Sequence, residues 1–310
     1  MKNKNSQNKT KLWVQIINCR FLYLLMLPGI LYFILFKYLP MGWLVISFQD
    51  YKLLKGIRGS AWVGFKNFID FFSGIDCWMI IKNTIVLNLL NLCLAFPASV
   101  IFALLLNEVR RLKFKKVIQT ISYLPHFIST VIMVGLIHTM FSSAPEGPLY
   151  TIFSTVFGST GSILSNSSYF RGIFVGSAIW QQTGWNSIVF IAALAGIDPT
   201  YYEAAIVDGA SRIQQMFYIT IPSIMNTVFM MLIIKIGQIM TIGVDKAYLL
   251  QTDTTRNVSE IISTYVYKKG MQGNQYGYAT AVSVFNSVIG LILVIGANKL
   301  SKKFSQSGLW

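Results

Sequence analysis

Charge is what this sequence has least of. Only 12% of its 310 residues are Asp, Glu, Lys or Arg, about half the usual quarter for a globular chain. Acidic residues are the scarcer kind, 11 against 26 basic ones, for a formal net charge of +15. With 54% apolar residues and a mean hydropathy of +0.56, too little polar surface remains to wrap a soluble core. A cytosolic enzyme and a disordered tail protein are excluded. The three cysteines, Cys19, Cys77 and Cys93, are scattered and imply no disulfide framework, which excludes a secreted disulfide scaffold. The two histidines, His126 and His138, share their run with no carboxylate, so neither a metal site nor a catalytic dyad is expected. No G-x4-G-K-[ST] phosphate loop, H-E-x-x-H, paired-Cys or G-x-S-x-G motif occurs, so ATP binding by the phosphate-loop route and those catalytic classes fall away. In a soluble domain the positive charge would suggest nucleic acid; here no nucleic-acid partner is expected, and what matters is where the basic residues fall.

What the chain does have is long apolar runs. Stretches without Asp, Glu, Lys or Arg cover 21–36, 83–107, 117–145, 172–197, 213–234 and 270–298, each near the ~20 residues a membrane-crossing helix needs. The first continues past Lys37 to Gln49, and the fifth past Lys235 to Val244. The run 147–170 is uncharged too, but its Gly, Ser and Asn content reads as loop with one short interfacial helix at Leu149–Phe157. The expected fold is therefore all-α and integral to the membrane, with six transmembrane helices. A basic segment, 1–20, precedes the six-span domain at 21–298, and a tail, 299–310, follows it. The basic-then-apolar start mimics a signal peptide, yet no small-x-small cleavage site follows, so it is read as an uncleaved first span. Segments 1–20, 107–117, 198–222 and 299–310 together hold fourteen Lys and Arg, against seven in 47–77, 142–168 and 248–275. By the positive-inside bias both termini are cytoplasmic.

The segment 198–222 is more structured than a connector requires. Asp198-Pro199 supplies an N-cap and a first helical residue. Tyr201–Asp208 is helix-compatible, and Gly209 stands where a left-handed residue would end the helix. Ser211 with Gln214 has capping-box spacing, and the second helix is expected to run to Pro222 at the entry of span five.

Within that segment Glu203-Ala204-Ala205, then Gly209, Ile219 and Pro222, resemble the E-A-A-x3-G-x9-I-x-L-P loop of binding-protein-dependent ABC permeases, with Ile221 in place of the usual Leu. The run from Tyr202 to Ala210 is similar to the carbohydrate-uptake branch. Phe36–Met41, Gln49–Tyr51, Tyr123–Ser129, Ser259–Tyr267 and Leu309-Trp310 look like permeases importing oligosaccharides derived from complex polysaccharides. The resemblance spans about 20–310. It implies the type I ABC importer fold and a non-catalytic permease subunit in a bacterial cytoplasmic membrane. It also implies a second, unlike permease chain, an extracytoplasmic solute-binding protein and separate ATPase subunits. This chain would bind no cofactor itself, ATP and Mg residing in the ATPase. Glu203 and Asp208 would face the ATPase, while Ala204, Ala205 and Gly209 would permit close approach.

Polar residues inside spans are costly and usually face a bundle interior or a water-filled path. Asn88 and Asn91 lie on one face of span two. Trp180, Gln181, Gln182, Trp185 and Asn186 lie on span four, and Lys235 and Gln238 on span five. Aromatic faces with amide side chains suit sugars, although Asn and Gln also glue helices and Trp lines membrane interfaces. Lys235, about 13 residues into its span, would meet an acidic sugar or pair with a carboxylate of another subunit. Asp245-Lys246 reads as a pair at the outer end of span five, and Lys37 as snorkelling. Pro28, Pro97 and Pro125 fall within spans and can kink them. Three other classes remain on these residues: a membrane-embedded enzyme, which lacks an in-span catalytic cluster; a self-sufficient carrier, which would need neither ATP nor partners; and a permease for peptides.

Overall fold

The long uncharged runs fold as helices, because a backbone in lipid must satisfy its own hydrogen bonds. The computed structural model describes residues 18–143, 147–158, 161–240 and 243–305; the basic residues before Cys19 and the Leu309-Trp310 terminus lie outside the described residues. Helix α1 (Arg20–Phe48) leads into a two-stranded hairpin, Gln49–Asp50 and Ala61–Trp62, antiparallel with Gln49 opposite Trp62. Short α2 (Lys66–Phe72) precedes α3 (Cys77–Asn107). Then come α4 (Leu112–Tyr123), α5 (Thr130–Met140) and α6 (Pro148–Phe157). Helix α7 (Ser167–Ala195) precedes the short α8 (Pro199–Val207), and α9 (Arg212–Gly237) follows. Last are α10 (Val244–Leu250), α11 (Ile262–Tyr267) and α12 (Tyr276–Ser305).

Ion pairs and hydrogen bonds sort the connections to two ends. At one, Arg212 pairs with Glu108 at 3.3 Å, joining the α3–α4 turn to the α8–α9 segment. At the other, Arg256 pairs with Asp76 at 2.8 Å, and the Ser167 hydroxyl donates to the Thr254 carbonyl at 3.0 Å. There a Cβ at Gly277 would collide with the Gln49 carbonyl, so glycine lets α12 start against the end of α1. We term these the loop end and the hairpin end.

Among the described residues four helices, α1, α3, α9 and α12, are long and apolar enough to span a membrane. The third expected span differs from expectation: it is not one helix but Leu112–Phe127 and Thr130–Met140, meeting at 100°. Pro125 sits in the 3-10 turn before the break, and Ser129 restarts the chain by accepting the Ile132 N–H through its hydroxyl. Counted as one, the bent pair makes a fifth span. The expected fourth span is the 29-residue α7, about 43 Å at 1.5 Å per residue, which runs from the hairpin end to the loop end; its amides keep it less apolar than the others. Span five is shorter than expected, because α9 stops at Gly237 rather than continuing to Val244. Nor does Pro222 separate a surface helix from that span. A π turn at Met216–Thr220 absorbs the proline's missing N–H, and the helix continues through it. Pro28 and Pro97 lie inside helices that stay continuous.

Helix α7 packs along α3. Toward the loop end Phe96 meets Phe190 edge to face, within a cluster of Ala103, Leu194 and Ile224. Toward the hairpin end Phe71, Cys77, Ile80, Tyr265 and Val282 form a second core. By contrast every residue from Arg20 to Leu44 is exposed. A helix apolar all round that buries nothing on its own bundle belongs in lipid or against another chain.

The hairpin end is tied by one buried carboxylate. Glu260 is 1% exposed and pairs with Arg256 at 2.6 Å and Lys268 at 3.1 Å; Lys268 also donates to the Gln251 carboxamide oxygen. Asn83 on α3 donates to the carbonyls of Asn257 and Glu260, and accepts from Arg171 of α7. Only Glu260 is buried, Arg256 being about half and Lys268 about a third exposed, so removing its charge weakens two charge-assisted bonds to cations that water still reaches, at a cost on the order of 1–2 kcal/mol. Glu260→Gln is therefore expected to lower the apparent melting temperature of the detergent-solubilised protein by several degrees. Asp50→Asn serves as comparison: it breaks only the exposed 3.7 Å pair with Lys52 and should leave melting unchanged.

Candidate functional site

Two features stand out, a polar cavity inside the bundle and a capped helical segment at the loop end. The cavity encloses about 470 Å³ between α3, α7, the end of α9 and the start of α10. Asn88 and Asn91 reach it from α3, and Gln181, Gln182 and Asn186 from α7. Lys235 and Gln238 reach it from the end of α9. Seven of the nine residues expected to line a path thus share one space.

Several of these amides already have protein partners. Asn88 returns its N–H to the Thr84 carbonyl at 2.7 Å, whereas the Asn91 carboxamide oxygen is buried without one. Gln181 donates to the Ile128 carbonyl at 2.9 Å, satisfying backbone left open by the α4–α5 break. Gln182 accepts from His126 Nδ1 at 3.1 Å. These two glutamines therefore both brace the bend and present polar edges to the cavity.

The two tryptophans do not belong with them. Trp180 faces a separate apolar cavity with Met133, Met140 and Phe153, because it lies about 100° around the helix from Gln181. Trp185 stacks on His126 with centroids 4.3 Å apart and planes within 4°, so His126 is a packing residue. Asp245 and Lys246 also depart from expectation. They form no ion pair with each other among the described residues: both line the cavity, and Lys246, 7% exposed, reaches Phe174, seven residues from the hairpin-end start of α7. Lys246 and Phe174 carried no periodic signal, since 72 residues separate them in sequence.

At the loop end the local signals hold. The Asp198 carboxylate caps α8 by accepting the Thr200 N–H at 2.9 Å, and that bond keeps its pKa below the usual carboxylate range. Pro199 is the first helical residue. Gly209 has φ +76°, the left-handed turn. Ser211 and Gln214 form the reciprocal capping box, with the Ser211 N–H donating to Gln214 Oε1 at 2.7 Å. Glu203, Ala204, Asp208 and Gly209 are exposed and Ala205 is half-buried. Ile219 is half-buried in the π turn, and Pro222 is exposed at the second residue after it. Tyr202 holds the segment to α9 through a 3.0 Å hydroxyl contact with Thr220. Beside Glu203 the apolar Ile206 and Val207 also stand open, Val207 being 87% exposed.

These features define a polytopic α-helical membrane protein with a polar interior cavity and an exposed helical segment at one end; no cluster of metal-ligating side chains occurs among the described residues. Comparison with known proteins narrows the class. Residues 85–306 match the family described as "Binding-protein-dependent transport system inner membrane component". The polygalacturonan/rhamnogalacturonan transport system permease protein YteP of Bacillus subtilis (strain 168) is 44% identical over 98% of this chain and 94% of its own length. Protein LplB of the same organism is 45% identical over 94% of this chain and 91% of its own. Among solved structures, a chain of a bacterial alginate ABC transporter in complex with alginate pentasaccharide-bound periplasmic protein superposes with a TM-score of 0.88. It is 38% identical, over 96% of this chain and all of that one. The chain belongs to the binding-protein-dependent transport system inner membrane component family.

Proposed function

We propose that this chain is the non-catalytic permease half of an ATP-driven importer and carries an oligosaccharide bearing carboxylates. The cavity is the observation that carries the reading. Carboxamides suit sugar hydroxyls, and two lysines against one aspartate give its lining an excess of basic side chains. Relatives named for polygalacturonan and for alginate transport support an acidic sugar. The loop end is cytoplasmic on its Lys/Arg excess, which puts both termini inside and the hairpin end toward a solute-binding protein. Glu203, Ala204, Ala205, Asp208 and Gly209, with Ile219 and Pro222 positioning the turn, dock a separate ATPase that holds ATP and Mg. The exposed apolar Ile206 and Val207 fit such burial. A second, unlike permease covers the open flank, including the bare surface of α1.

Uptake of labelled trigalacturonate by a strain lacking this chain, with and without its restoration, tests the substrate class. Restored uptake that depends on the binding protein is the expected result. Restored uptake of a labelled peptide, with none of the sugar, would replace the reading with a peptide permease.

A further inference from the structure

The geometry points to Lys246 as the residue that receives a substrate carboxylate inside the cavity. This rests on the reading of the cavity as an acidic-oligosaccharide path, and adds which side chain makes the acid preferred.

The Lys246 ammonium is enclosed by α7. Its Nζ donates to the Phe174 carbonyl at 2.7 Å and lies 4.8 Å from the Phe174 ring centroid. Gly243, just before α10, makes that approach possible: with φ +82°, a Cβ there would lie 2.7 Å from Phe174 Cζ. No carboxylate pairs with Lys246 among the described residues, although its chain neighbour Asp245 lines the same cavity. A carbonyl and a ring face offset only part of the cost of a buried cation. An ammonium has three donors and no acceptor, so one bond to Phe174 leaves donors for an oxygen in the cavity. A carboxylate there would complete the ion pair that the protein leaves open. Lys235 lines the cavity too, but no hydrogen bond fixes its ammonium among the described residues; Lys246 is held in place before any ligand arrives.

A mere strut between α10 and α7 would share this geometry, and charge separates the two roles. Binding of trigalacturonate and of its fully methyl-esterified, uncharged form is measured on the assembled permease–ATPase complex in zwitterionic nanodiscs. Wild type is expected to bind the acid at least about tenfold more tightly than the ester, as a close desolvated charge pair would give. Lys246→Met should reduce that preference to about threefold or less, and Lys246→Arg should keep it. Lys246→Gln, which can still donate to the Phe174 carbonyl, should lose the preference as Lys246→Met does, and it covers the case in which the methionine variant fails to assemble. A full acid preference in either uncharged variant, or no preference in wild type, overturns the assignment. If wild type binds neither ligand, the reading of the cavity as a path for acidic oligosaccharides falls as well.

Discussion

Gly209→Asp is expected to cut ATP-driven import severely while the membrane-embedded bundle still assembles. Gly209 joins α8 to α9 with φ +76°, a left-handed turn that glycine enters freely and that Asp tolerates better than other side chains do. The turn is tight: the Gly209 N–H donates to the Ile206 carbonyl and the Ala210 N–H to the Ala205 carbonyl, at 3.0 and 2.9 Å. A side chain there would relax the backbone and move Glu203 and Ala204 relative to α9. It would also add bulk and a charge to the surface proposed to enter the ATPase. No neighbouring atom lies within 4 Å of a Cβ at this position, so the bundle itself has no reason to unfold. Import should fall by at least about tenfold, the effect of losing roughly 1.4 kcal/mol of docking energy, with an unchanged melting profile. Transport at the wild-type rate would show that the turn does not transmit force. Glu203→Lys at the same surface should weaken ATPase retention in the same direction.

Gly184→Val should have the largest effect on the fold. A Cβ at Gly184 would run into the Ser122 carbonyl oxygen of α4, and a backbone atom cannot swing away as a side-chain tip does. Forcing the helices apart would loosen the contacts one turn to either side. These are the Gln181 bond to Ile128, the Gln182 bond to His126 and the His126–Trp185 stack. The cost should reach about 3 kcal/mol, the upper part of the overpacking range, visible as a lower apparent melting temperature and poor yield of monodisperse protein. Gly172→Ala is the comparison, because no atom lies within 4 Å of a Cβ there and alanine is the better helix former. Equal melting of the two variants would contradict the close approach of α4 and α7.

How far each feature was legible follows from how local its cause is. Asp198, Gly209 and the Ser211–Gln214 box act within five residues, so the loop-end segment could be read along the chain and recurs in the structure. The cavity amides were legible because a polar group in an apolar run has few reasons to be there. Trp180 is next to Gln181 in sequence but about 100° around the helix from it, so the two face different spaces. The bend at Ile128–Ser129 was signalled only by Pro125; its depth depends on Gln181, a tertiary partner 53 residues away. That Lys246 lines the cavity could not be read along the chain, because its partner Phe174 is far away in sequence and no pattern on 244–250 marks the inward face. The shortened α9 and the π turn before Pro222 are backbone adjustments that composition does not encode.

The most direct test of the account is the composition of what co-purifies with this chain from its native membrane in mild detergent, read by mass spectrometry. A second, non-identical permease and an ATPase subunit should accompany the wild-type chain, and the ATPase alone should be lost from Gly209→Asp. Recovery of a lone chain, unchanged by the substitution and transporting in liposomes without ATP, would contradict the importer reading and make this a self-sufficient carrier.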